Sequence, residues 1–468
     1  MSTINFSGIA SGIDTNALID ATSAATRRQK VTPKTTKIEE LTATNTAFDE
    51  LKTRLRTLKT LAEGMGTING GIVAKSATSS SESVVTASVR NGALNGAYDV
   101  EVLSLAKTAS YSFNYAYSST SETLFGAGET GTVSFDFGDT SAESVSVNVT
   151  SNMTVSEFIN AFNNASSRAE ASVVQVSPTD YRILITTKTS GTDSGAILNP
   201  VVSGTGPTKI TTGDVTSSAA TDASFRINGI GPFTRQSNTI NDVISQVTFN
   251  LLGINSPSTA KVTISDDPDT SVAAMRKFID AYNEVAVYVR DNSTISREES
   301  NGEVENIFGP LASTRTDDSA LTSIREVFAG IAYSGTSTIR ILADLGVESQ
   351  RDGTLLLNET KFKNAISTDS AAVTAITTSL GDKLGFTFNP TTGNGVIDSI
   401  IGFNRSFDTS INSNKTLIDT LNTQTGEVEK QIAQSEANMR AQFARLESLM
   451  GRLQQQQQAL TSALAGLR

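Results

Sequence analysis

Two glycine-rich stretches and one acidic cluster are where chemistry would first be sought in this sequence. "GAGETG" (Gly126 to Gly131) has the G-x-G-x-x-G spacing that lets a backbone approach a pyrophosphate at a helix N-terminus. Here the glycines are followed by "TVSFDF", which alternates as a strand does, so the run reads as a loop between strands. "GIASG" (Gly8 to Gly12) approaches a nucleophile elbow, but Ser11 stands fourth where the motif needs it third. "DDPD" (Asp266 to Asp269) could attract a cation, yet it lacks the glycine and distal glutamate of an EF-hand loop and suits the acidic first turn of a helix better.

Composition closes most remaining routes to catalysis. Histidine, cysteine and tryptophan are absent, which removes thiol nucleophiles, Cys/His zinc sites and imidazole as a base. No Gly-Lys pair occurs, so there is no standard phosphate-binding loop. The expectation is a protein that is not an enzyme and needs no cofactor or metal. A net charge of -11 argues against nucleic acid, whose phosphates require clustered Lys and Arg. The first sixty residues carry nine Lys/Arg against six Asp/Glu, so the acidic excess lies further in. No run approaches the ~20 apolar residues of a membrane span, and a cleavable signal peptide is not expected. The lack of cysteine leaves the redox compartment open.

With little chemistry to position, the elements themselves become informative. "DTNALIDATSAATRRQK" from Asp14 predicts a helix with Asp14 or Thr15 as N-cap, and "TPK" (Thr32 to Lys34) marks a kink or a restart with Pro33 in the first turn. The next helix runs to about Glu63. It places Leu41, Phe48 and Leu55, with Leu51 and Leu58 as companions, on a heptad stripe whose one polar member is Thr44. The C-terminal region repeats the pattern at greater length. Ile411, Ile418, Ile432, Met439, Leu446, Leu453, Leu460 and Leu467 keep a seven-residue step interrupted only by Thr425, with Leu421, Val428 and Leu449 at companion positions. Ser435, Gln442 and Gln456 make the seam imperfect. A narrow apolar stripe of this kind predicts a coiled coil, while a long helix packed on its own domain stays open.

Between the ends the period changes from helical to alternating. "SVVTASVR", "YDVEVLSL", "TVSFDF", "VSVNV", "ASVVQV" and "YRILITT" are strand candidates, some joined by turn signals such as Asn91-Gly92. "TVSEF" from Thr154 and "TINDV" from Thr239 both place an acidic residue three after a threonine, the spacing of a capping box. They predict two related units, each with strands around one short helix. Further helices are expected from Thr270 and Asp317, then a hairpin turn at Asp352-Gly353 and a helix capped by Asn358.

Several of these segments together resemble the flagellar filament cap family, hook-associated protein 2. "GIASGID" (Gly8 to Asp14) resembles its opening, and "YDVEVLSLAKTAS" (Tyr98 to Ser110) a strand ending in Leu-Ala. "FRINGIGPFTRQSNTINDVISQVTFNLLG" (Phe225 to Gly253), "LGVESQRDGTLLLNETKFKNAI" (Leu345 to Ile366) and "MRAQFARLESLMGRLQQQQQALTSAL" (Met439 to Leu464) are similar to its later segments, in the family's order. The resemblance implies an α+β multidomain fold. A terminal coiled coil would comprise residues 1-40 and 430-468, and a helical leg 41-70 and 268-429. Two antiparallel β-rich head domains would be inserted, the inner from 71-110 and 217-267, the outer from 111-216.

The resemblance also implies a secreted protein, exported by the flagellar type III route, that forms a homo-oligomeric ring at the filament tip and guides flagellin insertion. Flagellin, hook-filament junction proteins and an export chaperone would be its partners, and the heptad residues above would bind the filament. Three alternatives remain: a hook-filament junction protein, a surface adhesin whose outer β domain binds a host glycan or mucin, and, more distantly, a carboxylate glycosidase.

Overall fold

The computed structural model describes residues 14–138, 143–205, 208–300, 303–385 and 395–465. Asp14 opens the first helix, α1 (Thr15–Lys30), by accepting a hydrogen bond from the Ala17 amide at 3.0 Å. After Val31 the chain re-enters helix as α2 (Thr32–Gly64), with Pro33 in the first turn, where its missing N–H costs nothing. The β region then begins with β1 (Ala74–Ser79), β2 (Val85–Val89), β3 (Gly96–Ser104), β4 (Ser110–Phe113), β5 (Gly131–Phe137) and β6 (Glu143–Val149). Helix α3 (Val155–Ala165) interrupts it before β7 (Ala169–Ser177), β8 (Asp180–Thr187), β9 (Ile197–Gly204) and β10 (Val215–Ser218). It ends with β11 (Ala223–Ile227), β12 (Ile230–Arg235), β13 (Thr239–Ile240), β14 (Val247–Leu251) and β15 (Ala260–Asp267).

Helix returns in α4 (Pro268–Asn292), followed by a lone hairpin of β16 (Ile295–Ser300) and β17 (Glu303–Phe308), then α5 (Thr316–Ala329). A second small hairpin, β18 (Val347–Ser349) with β19 (Leu355–Leu357), turns at Asp352-Gly353, and Asn358 accepts from the Lys361 amide to start α6 (Glu359–Gly385). Helix α6 breaks at Asp369, whose extended backbone lets its carboxylate cap the Ala372 amide. Short α7 (Val396–Ile401) precedes α8 (Ser406–Ala465), a helix of 60 residues. The fold is thus α+β, with helices from both ends of the chain and central antiparallel sheets.

The chain divides into two compact units, one of residues 1–67, 273–362 and 375–468, the other of 68–272 and 363–374. Within the second, two apolar clusters account for the alternating sequence. One joins the five-stranded sheet β1-β15-β3-β11-β12 to the three-stranded sheet β13-β14-β2 through Val85, Val102, Phe225, Phe249 and Val262. The other joins β10-β4-β8-β7, β6-β5-β9 and α3 through an aromatic group in which Phe135 lies 6.1 Å from Phe162 and 5.3 Å from Tyr111. In β5 the side chains of Val133, Phe135 and Phe137 point inward at every second position, as a half-buried strand requires. "GAGETG" lies in the loop that enters β5, where Glu129 accepts hydrogen bonds from the Gly126 and Thr208 amides.

The two capping-box spacings have different outcomes. Thr154 caps α3, accepting from the Glu157 amide at 3.2 Å while Glu157 accepts from the Thr154 amide at 2.9 Å. The expectation of a second helix at Thr239 is corrected. Thr239 and Ile240 form β13, paired with Asn250 and Phe249, and Asp242 is held by Arg235 at 2.7 Å. The carboxylate needed for the reciprocal cap is therefore taken, and strand pairing sets the backbone. So the cluster around Phe225 and Phe249 contains no helix, unlike the unit anticipated there.

Candidate functional site

The residues on the two heptad stripes meet unequal surroundings. In α2 they form the interior of the helical unit: Leu51, Leu55 and Leu58 are fully buried, and Leu41 and Phe48 nearly so. Phe48 stacks edge-on against Phe407 at 5.1 Å, and the Asn45 carbonyl oxygen accepts from the Asn414 amide group at 2.9 Å, fixing α2 against the start of α8. The polar member Thr44 is satisfied where it is buried, donating to the carbonyl of Pro310 or of Glu40. On a neighbouring face Lys52 reaches Asp408, and its hydrogen bond holds the Asp408 carboxyl below the ordinary carboxylate range. Lys59 pairs with Asp398 of α7 at 3.0 Å. These five α2 residues are covered by their own chain and offer no surface to a partner.

Along α8 the same spacing passes from covered to bare. Ile411 and Ile432 are buried, while Ile418, Leu421, Val428 and Met439 are partly exposed. Helix α1 lies antiparallel on this stretch. Arg27 donates to Glu429 at 3.0 Å and lies 3.5 Å from Glu436, and Arg440 donates to Asn16 at 3.1 Å. Glu429's hydrogen bond, the larger influence, moves the Arg27 guanidinium pKa upward. Ile19 and Ser23 of α1 are buried in this seam, and the Ser23 hydroxyl has no hydrogen-bond partner. The seam leaves a cleft of about 170 Å³ lined by Thr26, Gln431 and Ser435, as its polar positions forbid close apolar packing.

Past Arg440 no described residue of α1 accompanies α8. Leu446, Leu449, Leu453 and Leu460 are 46%, 58%, 56% and 64% exposed on a helix that extends about 37 Å further at 1.5 Å per residue. Leu467, with Gly8 to Ile13 and so Ser11, lies outside the described residues. A row of half-exposed leucines on one face of a helix is what a coiled-coil partner or an apolar groove recognises.

Two features of the helical unit were not anticipated from sequence. The β16–β17 hairpin stands as a two-stranded sheet, with Ile295 and Phe308 directly paired and both exposed. Asn301-Gly302 between alternating residues was the available turn signal. The second is a groove of about 650 Å³ walled by Tyr282, Phe328, Ile331, Ile341, Val347 and Leu355. Its residues come from α4, α5 and the loops around β18, a juxtaposition that no local pattern encodes. Among the described residues no cluster of His, Cys, Asp or Glu has metal-ligating geometry, and no helix is long and apolar enough to cross a membrane.

Comparison with known proteins resolves the class. The structure is similar to the D1-D2-D3 domains of the flagellar cap protein FliD from Escherichia coli, with a TM-score of 0.60 at 20% identity, covering 79% of this chain and 99% of that one. The fold is therefore that of a flagellar cap protein. In sequence, the C-terminal domain of flagellar hook-associated protein 2 matches residues 220–455 and its N-terminal domain residues 11–109. The chain is 25% identical to the B-type flagellar hook-associated protein 2 of Pseudomonas aeruginosa, over 97% of this chain and 95% of that protein. It is 23% identical to the Escherichia coli flagellar hook-associated protein 2, over 83% of each. The chain belongs to the flagellar hook-associated protein 2 family, whose members are structural proteins and not enzymes.

Proposed function

We propose that this protein caps the distal end of the flagellar filament, where a homo-oligomeric ring of it holds the growing end and guides flagellin into place. The observation that carries this reading is the bare leucine row from Leu446 to Leu460, on a helix whose earlier part is paired within the chain. In this reading the distal part of α8 binds the terminal helices of flagellin, the helical unit serves as a leg, and the two β clusters form the plate. A cap must hold the filament yet shift with each added subunit. Several separate helix contacts, each weak alone, give avidity while remaining individually breakable. Export by the flagellar type III route, meetings with hook-filament junction proteins, and a chaperone on the C-terminal helix belong to the same proposal.

The decisive variant combines Leu446→Asp with Leu453→Asp. Both side chains are about half exposed, so the circular dichroism and melting of the variant should match the parent. Its co-sedimentation with flagellin filaments should be lost; undiminished co-sedimentation would refute filament binding through this row. Gold-labelled antibody on intact cells gives the second test. Label at distal tips supports the cap, whereas label at filament bases or over the cell body points to a junction protein or an adhesin.

A further inference from the structure

We propose that this chain cross-links itself through an isopeptide bond between the side chains of Lys75 and Asn95, with Asp266 moving the protons. The inference stands apart from the filament-cap reading and concerns only the five-stranded sheet β1-β15-β3-β11-β12.

The sheet brings together the three groups that such a bond requires. Lys75 lies on β1 and is the register partner of Asp266 on β15. Asn95 immediately precedes Gly96, the first residue of β3, which is itself paired with Ile264 of β15. The amine and the amide thus come from the two strands that flank the strand carrying the carboxylate.

Their contacts close a triangle. The Lys75 ammonium donates to Asn95 Oδ1 at 3.0 Å and to Asp266 Oδ1, while Asn95 Nδ2 donates to Asp266 Oδ2 at 3.1 Å. An ammonium can meet only the oxygen of an amide and a carboxylate only its nitrogen, which fixes how the Asn95 amide is turned. Because Oδ1 is bonded to Cγ, the lysine nitrogen stands beside the carbon it would attack. The Lys75 and Asp266 side chains are only 10% and 17% exposed. Asp266 continues the buried row of Val262 and Ile264 at every second position of β15, so it stands at the rim of an apolar cluster. Passing a proton from Lys75 to Asp266 there removes two poorly hydrated charges.

The reaction consumes no oxidant, reductant or second substrate. Asp266 takes a proton from the ammonium, and the neutral Nζ attacks Asn95 Cγ, as a lysine nucleophile does beside a base. Asp266 hands its proton to Nδ2 as the Cγ–Nδ2 bond breaks, then takes the surplus proton from Nζ, which the departing ammonia carries off as ammonium. Asn95 is exposed, so the ammonium leaves directly into water. An amide between Nζ and Cγ remains, and Asp266 is again a carboxylate. The bond joins residues 20 apart in sequence and ties β1 to the start of β3 across β15, so the edge strand could not peel away.

Intact-mass spectrometry of the full chain, purified and held at neutral pH, tests this. The chain should be lighter than its sequence by one ammonia. Trypsin should fail to cut after Lys75 and should return residues 60–90 joined to residues 91–107. Lys75→Arg keeps a cation beside Asp266 and should retain the full mass. Asp266→Asn should slow the loss of ammonia about a hundredfold with unchanged circular dichroism, as removal of a proton-transfer group does. A parent chain that keeps its full mass through prolonged incubation overturns the proposal. So does a loss of ammonia that persists in Lys75→Arg, which would assign it to a succinimide at Asn95-Gly96. A bond that forms equally fast in Asp266→Asn overturns the role given to that carboxylate.

Discussion

Helix α2 and the distal part of α8 carry the same heptad spacing of leucines and have opposite fates. Leu51, Leu55 and Leu58 are fully enclosed by α7, α8 and neighbouring segments, whereas Leu446, Leu449 and Leu453 stand about half exposed on a stretch of helix that no described residue of α1 accompanies. Periodicity therefore declares that a face will be covered without saying by whom. Covered by the same chain, the stripe becomes stability. Left half exposed, it is a surface free to meet a partner, the role proposed for it above.

Truncating one leucine on each helix should separate these roles by the widest margin. Leu55→Ala removes a fully buried side chain and should cost the helical unit about 2–5 kcal/mol, read from urea unfolding followed by circular dichroism at 222 nm. Leu453→Ala should change that stability by less than about 0.5 kcal/mol, because its side chain is already in water, yet it should weaken flagellin co-sedimentation. Equal losses of stability would mean that distal α8 is packed in the isolated chain, and the contrast between the helices would collapse.

A second pair of like sequences sharpens the comparison at smaller amplitude. Thr154 and Thr239 each precede an acidic residue by three, and only Thr154 caps a helix. Thr154→Ala should destabilise the outer β cluster by about 1 kcal/mol through loss of the cap. Thr239→Ala, at an exposed position whose hydroxyl meets only Asn250, should cost a few tenths, as surface changes usually do. Thermal melts of the two variants against the parent would check this, and an equal shift would restore a helical role for Thr239.

These pairs also mark what could be read from sequence. Alternation in Val133, Phe135 and Phe137 and the helical spacing of α1, α2, α4 and α8 announced an α+β chain with helices from both ends, because those signals are local. The Asp352-Gly353 turn and the Asn358 cap were legible for the same reason. The strand at Thr239 was not, since its backbone is set by Asn250 and Phe249 from a later strand and its carboxylate by Arg235. Nor was the division of the leucine stripe, which depends on where α1 stops accompanying α8. The Tyr282 groove draws on residues from three separate parts of the chain, and the hairpin beside it was missed although Asn301-Gly302 signalled a turn.

The smallest effect distinguishes how the two units hold their carboxylates. In the helical unit Asp408 is held by the ammonium of Lys52, an ion pair that salt weakens. In the outer β cluster, desolvation pushes Glu143 upward, but hydrogen bonds from the Ser167 hydroxyl and amide, the Ser166 hydroxyl and the Arg168 amide outweigh it. They leave the carboxyl at about 2, below its ordinary 4.5. A depressed carboxyl stabilises the fold fully above its unfolded value, and that contribution drains away as pH falls from 4.5 toward about 2. Glu143→Gln carries no charge at any pH and lacks that contribution throughout, so its cluster should be weaker than the parent's at neutral pH and the two should converge as pH falls toward about 2. Ile183 and Ile185 are buried in that cluster, and their methyl resonances followed from pH 6 to about 2 would report its unfolding apart from the helical unit. A midpoint that Glu143→Gln leaves unmoved would assign the acid response to other carboxylates. A midpoint that moves up in the variant, and does not move with salt in the parent, would show that neutral donors anchor the β cluster where charge anchors the helices.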